Sequence, residues 1–106
     1  MERGEVRWHR FAPLDKERPV VILTHTPAIR YLNTVTVAPI STSIRPVPSQ
    51  VHLTIDGLMT DCSVNLHNIQ TVLKRDVGKY IATLSMERMR EIELAIQFAL
   101  GIGAKS

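Results

Sequence analysis

The chain is 106 residues long with a net charge of +3, which allows one domain around one core and excludes multidomain machinery. Apolar residues make up 44% of it, an ordinary globular share, and no apolar run is long enough to cross a bilayer. The single cysteine, Cys62, excludes an internal disulfide, and it lacks the clustered Cys and His partners of a zinc site.

The first residues, Met1-Glu2-Arg3-Gly4-Glu5, lack the apolar stretch of a signal peptide, so a cytoplasmic protein without a membrane partner is expected. Glu5 to Phe11 reads as a first strand with Val6 and Trp8 on one face. Ala12 to Glu17 is a turn-rich loop, and Pro19 to Thr24 a second strand. Thr26-Pro27 breaks that strand, and Ala28 to Asn33 forms a connection. Thr34 to Ser41 is the third strand. Arg45-Pro46-Val47-Pro48 is a stiff loop, because its two prolines cannot donate to a ladder. Gln50 to Ile55 alternates Val51, Leu53 and Ile55 against His52 and Thr54, the pattern of a fourth strand. Asp56-Gly57 signals a turn. Cys62 to Leu66, Ile69 to Leu73 and Tyr80 to Leu84 complete the strands.

Ser85 then stands as an N-cap before a helix from Met86 to Leu100, and Gly101 terminates it. Met89, Ile92, Ile96 and Leu100 form its apolar stripe, widened by Met86, Ala95 and Ala99. Many short strands followed by one helix predict a mainly β domain over residues 1–106, a small antiparallel barrel or half-barrel.

Charge is distributed unevenly. From Arg18 through Ile55 there is no Asp or Glu, while Arg18, Arg30, Arg45, His25 and His52 all lie in that stretch. Such a surface suits an anionic partner, although β-rich segments also use few carboxylates for structural reasons. Arg18 opens the second strand and Ser41 closes the third. If the two strands pair antiparallel, a guanidinium and a hydroxyl converge at one rim. That pair suits a phosphate, with Arg forking onto its oxygens and Ser donating a further hydrogen bond.

No Gly-rich phosphate loop, His-Glu-x-x-His helix or nucleophile elbow occurs. The four histidines, His9, His25, His52 and His67, are scattered and read as surface or turn residues, so neither metal nor cofactor is expected. The chemistry left open is phosphoryl transfer in which the substrate supplies its own nucleophile, as RNA does with its 2′-hydroxyl. An ion pair of Arg18 with Glu17 or Asp15 is the purely structural alternative.

Several segments together resemble one family. They are Arg3-Gly4-Glu5-Val6, Arg18-Pro19-Val20-Val21-Ile22-Leu23, Val37-Ala38-Pro39-Ile40-Ser41-Thr42, Asp61-Cys62-Ser63-Val64 and His67-Asn68-Ile69-Gln70-Thr71-Val72, followed by a helix ending at Leu100-Gly101. In this order they are similar to the MazF/PemK toxin endoribonucleases of bacterial toxin–antitoxin pairs. The resemblance implies an SH3-like barrel with a C-terminal helix, assembled as a homodimer. It implies metal-free, sequence-selective cleavage of single-stranded RNA, and inhibition by a MazE-like antitoxin whose disordered acidic segment covers the RNA groove. It makes Arg18 and Ser41 the catalytic pair, with Thr42 in support. Lys16, Arg45, His67, Asn68 and Gln70 become the candidate RNA contacts.

The sequence departs from the family at three places. Ser41 replaces the usual threonine. The loop before Arg18 is short, with Leu14-Asp15-Lys16-Glu17 where a Gly-rich sequence is common. His67-Asn68-Ile69-Gln70-Thr71 stands where an Asp-Gln motif with a following basic residue is usual, so Gln70 lacks that charge. Base selectivity therefore does not transfer from the family. Aromatic residues are few, leaving Trp8, Phe11 or Tyr31 for base stacking, and Trp8 reads more as core than as platform. Two other functions are compatible with the same fold: a CcdB-like toxin that binds a protein target such as gyrase, and a small nucleic-acid-binding barrel without catalysis.

Overall fold

A computed structural model describes residues 1–54 and 61–103 of the chain. The expected Asp56-Gly57 turn and Ile55 lie outside the described residues. The elements are β1 (Glu5–His9), β2 (Arg18–Ile22), α1 (Thr26–Ile29), β3 (Thr34–Ser41), β4 (Gln50–Thr54), β5 (Asp61–Asn65), β6 (Gln70–Leu73), β7 (Val77–Thr83) and α2 (Met86–Leu100). A 3-10 turn, Lys74–Asp76, joins β6 to β7.

All pairings are antiparallel, in the order β4-β5-β3-β2-β1-β7, with β6 also on β3. The eight-residue β3 organises the sheet. Its first half pairs with β6, from Thr34↔Leu73 to Val37↔Gln70, and its last residues pair with β5 at Ile40↔Val64 and Ser41↔Ser63. The terminal strands β4 and β7 do not pair with each other among the described residues. The sheet is therefore an open, bent half-barrel rather than a closed SH3-like barrel.

The unbroken apolar run of β2 has a simple cause: both of its faces are buried. Val21 packs with Val6, Ala38, Ile40, Val64 and Ile92 under α2, while Val20 and Ile22 pack with Ile29, Val35 and Val37 on the other side. A strand covered on both faces loses the apolar–polar alternation. Helix α2 begins and ends as its residues dictate. Ser85 Oγ accepts from the Arg88 N–H at 3.2 Å, and Gly101 takes φ +70° at the C-terminus. Ile92 and Ala95 are buried, and Met89, Ile96 and Ala99 are half-buried. Met86 and Leu100, at the two ends of the expected stripe, remain exposed. No helix among the described residues is long and apolar enough to cross a membrane.

Arg3 ties the first residues to the rest of the fold. Its guanidinium donates to the Leu23 carbonyl and pairs with Glu93 of α2 at 3.1 Å, while its backbone N–H donates to Thr26 Oγ1 at 3.0 Å. One set of contacts thus holds the chain start, the end of β2 and α2 together.

Strand boundaries shift by one to three residues from the sequence expectation, and two of the shifts are instructive. β1 stops at His9, two residues early, because Phe11 turns back and packs edge-on to the His9 ring at 4.7 Å. β7 starts at Val77 rather than Tyr80. Gly78 lies inside the strand, at an irregularity in the β1–β7 register. A Cβ there would sit 2.9 Å from the Trp8 carbonyl oxygen, so only glycine permits this approach. The Gly78 carbonyl in turn accepts from Arg7 Nη1 at 3.0 Å. Gly78→Ala is expected to destabilise the fold by about 1–3 kcal/mol, the cost of overpacking, lowering Tm by roughly 5–15 °C. A calorimetric Tm equal to the parent's would show that β7 has room to shift.

Candidate active site

One row of residues crosses the sheet at a single rim. His9 is paired with Arg18, Ser41 with Ser63, and Ser63 with His52. The β2–β3 register runs Val20↔Pro39, Val21↔Ala38 and Ile22↔Val37. Carried two residues further, it sets Arg18 opposite Ser41. Neighbouring strands lie ~4.8 Å apart, so the guanidinium and the hydroxyl meet within side-chain reach.

They line one cleft of about 230 Å³ together with Glu17, Pro19, Ile40, Thr42 and Cys62. Arg18 is exposed, and among the described residues it forms no ion pair with Glu17 or Asp15. Its donors are free for a ligand. Ser41 Oγ accepts from the Ser43 N–H at 2.9 Å. This occupies a lone pair and leaves the hydroxyl proton to be donated into the cleft. Cys62 is buried at the cleft floor, with its Sγ donating to the Leu53 carbonyl at 3.5 Å. Burial, and secondarily the neighbouring Asp61 charge, pushes its pKa up, so it stays a thiol at neutral pH and not a nucleophilic thiolate.

Two further openings continue from this cleft. One, of about 480 Å³, shares Ser41 and is lined by Ser43, Arg45, Val47, Gln50, Asn65, His67 and Asn68. Its wall is fixed by hydrogen bonds. Gln50 Oε1 accepts from the Arg45 N–H at 2.8 Å and from Ser63 Oγ at 3.3 Å, and Ser63 Oγ also donates to the Ser43 carbonyl at 3.1 Å. Asn65 Oδ1 accepts from the His67 N–H at 3.0 Å, an Asx turn that presents His67 and Asn68 at the edge. The other opening, of about 410 Å³, shares Glu17 and is lined by Trp8, His9, Arg10, Phe11, Ala12, Pro13 and Asp76. Glu17 and Ser41, each lining two of the openings, link the three into a trough.

Another opening, of about 540 Å³, lies elsewhere, beside α1. Two of its cations are already engaged: Arg7 with Glu5 and the Gly78 carbonyl, Lys74 with the Ile29 carbonyl. Its volume therefore says less about chemistry than the uncommitted donors at the rim.

Arg18, Ser41, Thr42, Arg45, His67 and Asn68 all line the trough. Gln70 does not: it is exposed on β6, opposite Val37. Lys16 is exposed in the β1–β2 loop and is also outside the lining. Four lining or supporting residues escaped the sequence reading, namely Glu17 as a wall, Gln50, Asn65 and Ser63. The outward-facing position of Gln50 in an alternating strand was the only signal available for any of them. His9, read as a surface or turn residue, is buried, its Nδ1 3.2 Å from the Asp76 carbonyl. Trp8 is half-buried and borders the trough, so it is not purely core.

The pattern of the family described as PemK-like, MazF-like toxins of type II toxin–antitoxin systems matches residues 2–100. The chain belongs to this family. "Probable endoribonuclease MazF5" of Mycobacterium tuberculosis is 35% identical over 100 residues, covering 92% of this chain and 91% of that protein. "Endoribonuclease MazF3" of the same species is 40% identical over 74 residues, covering 69% and 72%. Among solved structures, the M. tuberculosis toxin MazF-mt6 superposes with a TM-score of 0.83 at 33% identity, over 92% of this chain and 96% of that one. A mycobacterial endoribonuclease in complex with its cognate antitoxin superposes with a TM-score of 0.87 at 25% identity, over 99% of both chains. MazF of Deinococcus radiodurans shares the fold, with a TM-score of 0.81 at 17% identity over 96% of this chain and 97% of that one. In this chain the fold places Arg18 and Ser41 at one rim of an open sheet.

Proposed function

We propose that this MazF-family chain is the toxin of a toxin–antitoxin pair and a metal-independent, sequence-selective endoribonuclease acting on single-stranded RNA. The observation that carries the reading is the cleft shared by an unpaired Arg18 and a Ser41 hydroxyl turned free to donate. The scissile phosphate sits between them. The substrate's 2′-oxygen attacks phosphorus, the 2′-O–P bond forms and the P–O5′ bond breaks. Arg18 stabilises the charge that grows on the non-bridging oxygens, and Ser41 donates to one of them. The leaving 5′-oxygen takes up a proton, and the 2′-hydroxyl gives one up. His67, which lines the trough on the Ser41 side, can accept it. The products carry a 2′,3′-cyclic phosphate and a 5′-hydroxyl.

The trough also suits a toxin–antitoxin switch. An acidic, disordered antitoxin segment ordering along it places carboxylates against Arg18 and Arg45 and so displaces RNA. The relative solved with its cognate antitoxin supports a partner of this kind. A homodimer accords with the exposed Leu94 and Phe98, one turn apart on α2, an apolar pair that a monomer leaves wet. Sedimentation at micromolar concentration is expected to give a dimer, and Phe98→Glu a monomer. A monomeric parent would contradict this assembly.

Incubation of the purified protein with a long single-stranded RNA, with and without EDTA, tests the activity. Equal cleavage in both is expected. Cleavage lost in EDTA contradicts the metal-independent mechanism. Binding without cleavage supports a non-catalytic barrel instead, and neither binding nor cleavage supports a CcdB-like toxin with a protein target.

A further inference from the structure

The two ends of the trough differ in chemistry. The Ser41 end is lined by hydroxyl, amide and imidazole groups and the Arg45 guanidinium, with no Trp, Tyr or Phe ring. The Glu17 end has two aromatic rings, Trp8 and Phe11, both half-buried. The His9 ring meets Phe11 edge-on at 87°, which fixes its plane. Arg10, Glu17 and Asp76 line the same opening. Among the described residues none of these three forms an ion pair, with one another or elsewhere. A cation and carboxylates left unpaired around aromatic rings are available to a ligand that carries both donors and acceptors on a flat face.

The geometry points to a guanine-selective nucleobase subsite at Trp8, Phe11, Arg10 and Glu17, receiving the base next to the scissile phosphate. The inference rests on the RNA-cleaving reading and deepens it. Any base can stack on an indole or phenyl ring, so the rings alone do not select. The charged groups do. A carboxylate accepts two parallel hydrogen bonds from guanine N1–H and its exocyclic amine. Cytosine and adenine offer only an amine beside an acceptor, and uracil a single N–H between two carbonyls. A guanidinium donates in a fork to guanine O6 and N7, the commonest specific base contact made by arginine. Glu17 and Arg10 together thus match both edges of guanine and of no other base. Placement also fits. His9 is the register partner of Arg18, so the base opening begins one strand from the phosphate cleft. Glu17 borders both openings.

The chain has a single tryptophan, so the one indole N–H resonance reports directly on this opening. Titrating the protein with guanosine, adenosine, cytidine and uridine 5′-monophosphates needs no catalysis and is independent of whether RNA is cut. The expected result is an indole shift that saturates with the guanosine nucleotide at a concentration about tenfold below the others. Glu17→Gln, at an exposed position that leaves the fold intact, removes most of that advantage. Arg10→Ala does the same, while Phe11→Leu weakens all four nucleotides alike. Sequencing the ends cut from a randomised RNA pool then gives guanosine enriched at one position flanking the cut, and Glu17→Gln flattens that position alone. Four equal affinities, or a preference untouched by Glu17→Gln, overturns the inference while leaving the endoribonuclease reading standing. A uniform loss of rate in Glu17→Gln with base preference intact overturns it too, and places Glu17 in proton transfer. A chain that binds the guanosine nucleotide selectively but cuts no RNA separates the two readings the other way.

Discussion

Arg18→Ala is expected to lower RNA cleavage by a hundredfold or more while barely changing stability. The side chain is exposed at a strand start and packs against nothing in the core. Its loss should shift Tm by no more than about 3 °C. The rate effect has a different origin. A preorganised donor aimed at a developing oxyanion is worth ~3 kcal/mol, about a hundredfold. Arg18 is both a donor and the only cation lining the cleft with Ser41 and Thr42. Arg18→Lys should recover only part of the rate, since an ammonium keeps the charge but cannot fork onto two phosphate oxygens. Ser41→Ala should cost less, because a neutral donor is lost. Ser41→Thr should keep or raise the rate, since the methyl restricts the rotamer and the hydroxyl remains. The measurement is the single-turnover rate on a defined RNA in EDTA, beside a thermal melt of each variant. Full activity in a folded Arg18→Ala protein overturns the assigned mechanism.

How much was legible in the sequence follows from the range of each interaction. The β2 segment announced itself because a strand buried on both faces is an unbroken apolar run, and β3 because its Val, Ile and Thr residues favour strand. Ser85 and Gly101 marked α2, since caps are set by residues within one turn. Convergence of Arg18 and Ser41 was readable from strand polarity alone. Gly78, outside the strand expected from Tyr80, gave no local signal for the opposite reason. Its role is a close approach to Trp8, 70 residues away in the chain and invisible to local pattern. Gln50, Ser63 and Asn65 were likewise out of reach, because their hydrogen bonds bridge β4, β5 and the loop after β3. The openness of the half-barrel is a matter of strand order, and short alternating strands do not carry it. Cys62 illustrates an intermediate case: burial is common for its residue type, while its place beside Arg18 and Ser41 has no local signal.

A 2′-deoxy or 2′-O-methyl sugar at the cut position is expected to abolish cleavage while leaving binding nearly intact. The trough offers phosphate-binding donors, but its one thiol is held protonated by burial. Ser41 Oγ already accepts a backbone hydrogen bond, which weakens it as a nucleophile and suits it as a donor. The proposed reaction therefore takes its attacking group from the substrate. A 2′-oxygen held beside its own phosphorus has an effective molarity of roughly 10⁵ M or more, and replacing it removes that advantage entirely. Arg18, Ser41 and the base contacts are untouched by the substitution, so the modified strand should compete with RNA at an inhibition constant within a few-fold of the KM. End-group analysis of the cut RNA should give a 2′,3′-cyclic phosphate on the upstream piece and a 5′-hydroxyl on the downstream piece. Cleavage of the 2′-deoxy strand, or an upstream piece that never carries a cyclic phosphate, would mean that water or a protein side chain is the nucleophile. Loss of binding along with cleavage would mean something else: that the trough grips the 2′-hydroxyl itself, and that Arg18 and Ser41 account for less of the affinity than their placement at the rim suggests.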